Sequence, residues 1–291
     1  MSSIESEFAM VRSLVFEPYT VFRVRPMSGQ YVNVGEAGFR AGAGENPWPP
    51  DANATNVFVF GGSTAFGYGV ADGETIPSRL HERLLVLGKN ARVYNFATAN
   101  YTAVQERIRL EQLLLDGFVP RVAIFIDGFD EFISPYYEPI LMKRLHDATK
   151  AQPLMERVAR AIRPSTALDE SECRLPDPAT VLDRYLANVR LIKATCAEFG
   201  VRPLFVWQPV PCYRYPGDAQ DHGAHEALIE CVRSGYEMMR TRRTDDILWL
   251  ADMQEGRTEN LYLDPDHYTA AFSGDIASAI AQHLIECGSI D

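Results

Sequence analysis

The sequence predicts a three-layer α/β/α fold, flavodoxin-like, with a mostly parallel sheet of about five strands. Three observations predict it. Short apolar runs recur along the chain and alternate with stretches of helical periodicity. The runs are apolar on consecutive residues, as strands covered by helices on both faces require. The chain has 291 residues with a hydrophobic share of 46%, ample for one large core.

Residues 1–55 read as an irregular leader packed on the domain, punctuated by Gly29, Gly35, Gly38, Gly42 and Gly44 and closed by Pro47, Pro49 and Pro50. Residues 56–291 form the domain itself. Val57-Phe58-Val59-Phe60 is the first strand and ends in Gly61-Gly62. Over 74–87, Ile76, Leu80, Leu84, Leu85 and Leu87 make one helical face. Val93 to Phe96 is the second strand, and 103–116 the second helix, with Leu110, Leu113 and Leu114 inward. Val122 to Ile126 is the third strand and the clearest. Residues 131–177 interrupt the alternation, rich in Pro, Tyr, Met and charge. They read as an insertion with a helical piece near 153–162, placed as a lid. Leu182 to Phe199 is a helix capped by Gly200. Leu204 to Trp207 is the fourth strand, 223–240 a helix, Ile247 to Leu250 a weaker fifth strand, and 268–286 the closing helix. There is no internal repeat.

With 39 acidic and 28 basic side chains, the formal charge is −11. That balance argues against nucleic acid or an anionic membrane as partner. The five cysteines, Cys173, Cys196, Cys212, Cys231 and Cys287, are odd in number and form no C-x-x-C pair. This favours reduced thiols over a disulfide framework. Glu5, Glu7, Arg12, Glu17 and Pro18 break up the first apolar stretch, so neither a secretory signal nor a membrane span is expected. A cytoplasmic location follows as an expectation. The sequence leaves the oligomeric state open.

Ligands of parallel sheets bind beyond the carboxyl ends of the strands, so the residues after each strand carry the candidate chemistry. Ser63 follows a strand and two glycines and precedes a helix, which exposes its hydroxyl on a sharp turn. G-x-x-x-x-G-K-[ST] is absent, and G-x-G-x-x-G does not fit Gly61, Gly62, Gly67 and Gly69. G-x-S-x-G also fails, because Ala65 replaces its last glycine. The second element is Asp264-Pro265-Asp266-His267. A carboxylate three residues before an imidazole can fix its tautomer and leave the other nitrogen free to take a serine proton. By themselves a turn serine and an Asp-Pro-Asp loop are ordinary.

Together these segments resemble the SGNH (GDSL-type) hydrolase superfamily, whose four blocks occur in order across residues 57–267. Val59-Phe60-Gly61-Gly62-Ser63-Thr64 resembles the first block, with Ser63 as nucleophile. Asn95-Phe96-Ala97-Thr98-Ala99-Asn100 resembles the second, with Asn100 where the family has its oxyanion-hole glycine. Ile126-Asp127-Gly128-Phe129-Asp130 resembles the third, with Asp130 in place of an asparagine. Asp264-x-x-His267 matches the last in full. The leader from Tyr31 to Arg40 is similar to a subset of the family.

The resemblance implies hydrolysis of an ester or related acyl compound through an acyl-enzyme, with a small-molecule acyl substrate and neither metal nor organic cofactor. Ser63 attacks, His267 moves the proton and Asp264 orients His267. Gly62, Asn100 and Asp130 surround the oxyanion, and Asp127, Glu131 and Gln208 are possible pocket residues. Acyl transfer from the same site, or a binding module that has lost catalysis, are the alternatives. Asp130 is the departure that matters, because a carboxylate repels an oxyanion where the family's amide donates. Three readings stand: a protonated donor, a partner for a positive substrate group (the favoured one), or a decayed site.

His222-x-x-His225 reads as a helix start rather than a metal pair. His81, His146 and His283 read as solvated. Tyr136-Tyr137, Trp207 and Tyr213-Arg214-Tyr215 are aromatic candidates for core or pocket rim.

Overall fold

The computed structural model describes residues 3–12, 14–44, 46–136, 173–216 and 226–290. Most of the lid-like insertion, with the helical piece at 153–162, Tyr137 and His146, lies outside them, as do His222 and His225.

Five strands form one parallel sheet: β5 (Thr55–Gly61), β6 (Ala91–Asn95), β7 (Val122–Asp127), β8 (Arg202–Trp207) and β9 (Ile247–Trp249). Their order is β6-β5-β7-β8-β9, and every pairing is parallel. This is the flavodoxin-like order the sequence predicts. The chain leaves β5 for β6 on one side and returns to β7 on the other, so β5 and β7 flank the topological switch point.

Consecutive strand residues supply opposite cores, which is why the strands read as continuous apolar runs. Val57, Val59, Ile124, Ile126, Leu204 and Val206 face one helical layer. It contains α3 (Ile76–Val86) and α8 (Ala270–Glu286), which pack on each other. Phe58, Phe60, Ala123, Phe125, Phe205 and Trp207 face the other. There lie α4 (Ala103–Leu115), α6 (Pro178–Phe199) and α7 (Glu226–Arg242). Between β7 and α6, a helix labelled α5 covers 129–136.

The helix that sequence periodicity begins at Leu182 starts four residues earlier. Asp177 caps it, accepting from the Thr180 N–H at 3.0 Å, and Pro178 opens it. Proline suits this first position because its missing N–H would have no helical partner there. Trp207 and Tyr213 are core residues, and His81 is half-buried with its Nδ1 2.9 Å from the Ala91 carbonyl.

The leader holds α1 (Ile4–Val11), an antiparallel pair β1 (Leu14–Glu17) and β2 (Val21–Val24), and a short pair β3 (Met27–Ser28) and β4 (Asn33–Val34). Phe8, Val11, Val24, Val32 and Val34 join the core. An antiparallel bridge from Arg40 to Asn95 ties the leader to the edge strand β6. Among the described residues no helix is long and apolar enough to cross a membrane. Cys196, Cys212, Cys231 and Cys287 are free thiols.

Candidate active site

The site lies beyond the carboxyl ends of β5 and β7. Ser63 opens the four-residue helix α2 (Ser63–Phe66), whose cap is Gly62. Glycine is required there for space: a Cβ at Gly62 would collide with the Asp130 carboxyl. Two buried side chains brace the turn from behind. Asn95 Nδ2 donates to the Ala65 and Phe66 carbonyls at 3.2 and 3.3 Å. The buried Arg40 guanidinium donates to the carbonyls of Phe66, Gly67 and Val70 at 2.9, 2.7 and 2.7 Å, and pairs with Asp72 at 2.8 Å. Buried cations need this kind of full partnering to persist.

Asp264 and His267 come from the loop between β9 and α8. His267 Nε2 is 2.9 Å from Ser63 Oγ, and His267 Nδ1 is 2.8 and 2.7 Å from the two Asp264 oxygens. An ionised carboxylate only accepts, so Nδ1 carries the proton and Nε2 is free to accept from Ser63. Asp264 also accepts the N–H groups of Asp266 and His267, at 3.2 and 3.0 Å, which locks the loop. Burial alone raises the Asp264 pKa, but the His267 hydrogen bond and charge, with these two N–H groups, hold it well below the carboxylate range. At His267 burial favours the neutral ring. The Asp264 hydrogen bond and the charges of Asp266, Asp264 and Asp130 outweigh it, and the imidazole pKa is raised.

Asp130 sits in the first turn of α5, buried, with its carboxyl facing the Ser63 backbone N–H. Burial and then Asp266 push its pKa up to about 7, against the lowering effects of His267 and the Ser63 N–H. Asn100 adopts φ 64, the left-handed conformation natural to glycine and tolerated by asparagine. Its carbonyl accepts from Ser134 Oγ of α5 at 3.1 Å. Gln208 is buried behind the site. Its Oε1 accepts from Thr64 Oγ1 at 2.5 Å and Tyr268 Oη at 3.3 Å, the residues that follow the candidate nucleophile and base.

The structure thus brings Ser63, Gly62, Asp130, Asp264 and His267 together. Asp127 and Glu131 lie instead with Glu106 of α4, in the layer that also holds Tyr185. Glu131 Oε1 accepts the Ala103 N–H at 2.7 Å and so caps α4. Burial raises all three acids, Asp127 to about 7 and Glu131 to about 8.

Sequence reasoning missed two neighbours of His267. Asp266 Oδ1 lies 3.3 Å from His267 Nδ1, and burial pushes its pKa up to about 6. Tyr68 stacks on the His267 ring, with centroids 4.6 Å apart. Asp266 was visible as one of a pair of aspartates beside His267, whereas nothing local marks Tyr68.

A scan against protein-family models finds no match, and neither does a search of curated proteins. Solved structures do align. A member of the lipolytic protein G-D-S-L family from Veillonella parvula DSM 2008 is 10% identical, covering 80% of this chain and 99% of its own, with a TM-score of 0.47. The lipase/acylhydrolase from Enterococcus faecalis is 13% identical, covering 81% and 97%, also at 0.47. The psychrotrophic esterase EstA from Pseudoalteromonas sp. is 9% identical, covering 80% and 98%, at 0.46. At these identities and scores the likeness says nothing of this chain's chemistry.

Proposed function

We propose that the chain is a serine hydrolase of the SGNH type that cleaves an ester or related acyl compound through an acyl-enzyme. The observation that carries the reading is the continuous line Ser63 Oγ, His267 Nε2, His267 Nδ1, Asp264, with separations of 2.9 and 2.7 Å. Ser63 Oγ attacks the acyl carbon as its proton passes to His267 Nε2. The resulting imidazolium gives that proton to the leaving oxygen as the tetrahedral intermediate collapses to the Ser63 ester. Water, deprotonated by the same nitrogen, then attacks the ester and releases the acid. No atom of this sequence of steps needs a group beyond the substrate, water and these residues.

The oxyanion is stabilised by the backbone N–H groups of Ser63 and Asn100 and by Asp130 in its neutral form. A protonated carboxyl presents one acceptor and one donor, as an amide does. Its O–H donates to the oxyanion, and the Ser63 N–H, which faces the Asp130 carboxyl in the free site, is then shared with the oxyanion. The sequence alone favours a positive substrate group at this place. The crowding of Asp130 with Asp266 inside a buried site favours the neutral acid.

The test is turnover of short-chain aryl esters by wild type and Ser63→Ala, with products followed in the presence and absence of added alcohol. Free acid formed by wild type and lost in the variant is the expected result. Acyl product on the alcohol in place of acid would assign a transferase. Wild type inert toward all acyl donors would leave only the binding-module reading.

A further inference from the structure

Tyr68 belongs to none of the sequence blocks, yet it touches both ends of the proton transfer. Its backbone N–H donates to the Ser63 carbonyl at 3.0 Å. Its ring lies over the His267 ring, with centroids 4.6 Å apart and planes inclined by 30°. During turnover that imidazole alternates between a neutral ring and a cation. An aromatic face attracts a cation far more than a neutral group of the same shape.

The ring is held from outside the domain's strand-helix alternation. Arg12, the C-cap of α1, donates from Nε to Tyr68 Oη at 2.8 Å. Phe8, one helical turn earlier, packs on the same ring with centroids 4.5 Å apart. The helix α1 is itself fastened, because the buried Glu7 carboxylate accepts the N–H groups of Gln30, Tyr31 and Val32 at 2.8, 2.9 and 2.9 Å. Tyr68 is therefore held by Arg12, whose guanidinium carbon is 5.7 Å from the ring centroid, by Phe8 and by its own backbone N–H, with its ring over His267.

We infer that Tyr68 is a positioning residue for the base, pinned over His267 by the N-terminal helix, and that its ring stabilises the imidazolium formed when Ser63 attacks. This rests on the serine-hydrolase reading of the site. The groups facing His267 are the carboxyls of Asp264 and Asp266 from its own loop and of Asp130 from α5, the Ser63 hydroxyl from α2, and the Tyr68 ring. Arg12 reaches the hydroxyl end of that ring from α1. The carboxyls hold the proton by charge. Tyr68 is the one aromatic partner recorded for the imidazole among the described residues.

The experiment compares Tyr68→Leu, Tyr68→Phe and Arg12→Gln in the full chain. The His267 imidazole is titrated by proton NMR, its signal assigned by loss in His267→Gln, and kcat and KM are measured across pH. Tyr68→Leu should shift the His267 titration to lower pH and reduce kcat about tenfold with KM little changed. Tyr68→Phe, which keeps the π face but loses the hydroxyl that Arg12 holds, should lower kcat by about two- to threefold, well short of Tyr68→Leu. Arg12→Gln, an exposed change that cannot threaten the core, loses the same bond and should lower kcat by about two- to threefold, while loss of the Arg12 charge by itself moves the His267 titration to higher pH. An unmoved titration in Tyr68→Leu overturns the inference, as does Tyr68→Phe falling as far as Tyr68→Leu. Should Tyr68→Leu fail to fold, an unmoved kcat in both Arg12→Gln and Tyr68→Phe overturns it instead. The titration needs no turnover, so a failure of the hydrolase reading shows separately, as wild type without esterase activity while the Tyr68 effect on His267 persists.

Discussion

One carboxyl, Asp264, and a group of three, Glu106, Asp127 and Glu131, are driven to opposite states. Asp264 faces an imidazole and two backbone N–H groups, and these hold it ionised. Glu106, Asp127 and Glu131 are buried mainly with one another, and burial first, then mutual charge at Glu106 and Glu131, drives them toward the neutral form. The residue type does not set the charge; the partners do. Asp130 stands between the two groups, sharing burial with the second and the neighbourhood of His267 with the first. On the proposed mechanism its state decides whether an oxyanion can form beside Ser63.

The comparison breaks most sharply at the ionised side. Ser63→Ala and His267→Ala should each lower kcat about a thousandfold or more, because one removes the proposed nucleophile and the other the proposed proton carrier. Asp264→Ala should cost about tenfold less than His267→Ala. Asp266, 3.3 Å from the same nitrogen, remains to orient the ring, so Asp264→Ala combined with Asp266→Ala should approach the loss of His267 itself. Steady-state rates on one ester decide this, and equal, negligible losses at Asp264 and His267 would remove both from the mechanism.

Asp130 sharpens the comparison next. On the proposed mechanism activity needs His267 neutral, so it rises with pH through the raised imidazole pKa. It also needs Asp130 protonated, so it falls as pH passes about 7. The profile of kcat/KM should be a narrow bell. Asp130→Asn should keep most of the activity and abolish the alkaline fall. Loss of the natural substrate with retention of simple neutral esters would instead show that Asp130 holds a positive substrate group.

The neutral side is tested by stability. An acid with a raised folded pKa stabilises fully below its unfolded pKa of about 4, and that contribution is lost as pH rises through the folded value. For Asp127 and Glu131 the loss is complete only above about 7 and about 8. The Tm should therefore decline between pH about 5 and about 8. Glu106→Gln, which removes the most deeply affected acid without changing shape, should flatten the decline and raise Tm at pH 8. A steeper decline in this variant would mean that Glu106 is ionised in the folded protein.

Strands, helices and the site residues next to strand ends were legible because their signals are local. Val122 to Ile126 is apolar without a break, and Ser63, Asp130 and His267 each lie where a strand or loop delivers a side chain to the sheet edge. Asn100 was legible as a glycine substitute, and its φ of 64 shows the backbone that the position demands. What was hidden depends on contacts between distant segments. Tyr68 meets His267 across about two hundred residues of chain, and nothing in its own surroundings announces the meeting. The destination of Glu131 was equally hidden: it follows Asp130 in sequence, but one helical step turns its carboxyl away to cap α4. In the leader, glycine spacing suggests irregular chain, whereas Phe8, Val11 and Val24 are buried from a helix and a strand.

The most direct measurement of the central claim is intact-mass analysis after treatment with a fluorophosphonate, which reacts only with an activated serine. The account predicts one adduct per chain, carried by Ser63, absent in Ser63→Ala and greatly slowed in His267→Ala. An adduct that persists in Ser63→Ala, or a wild type left unmodified under conditions that label a known serine esterase, would contradict it.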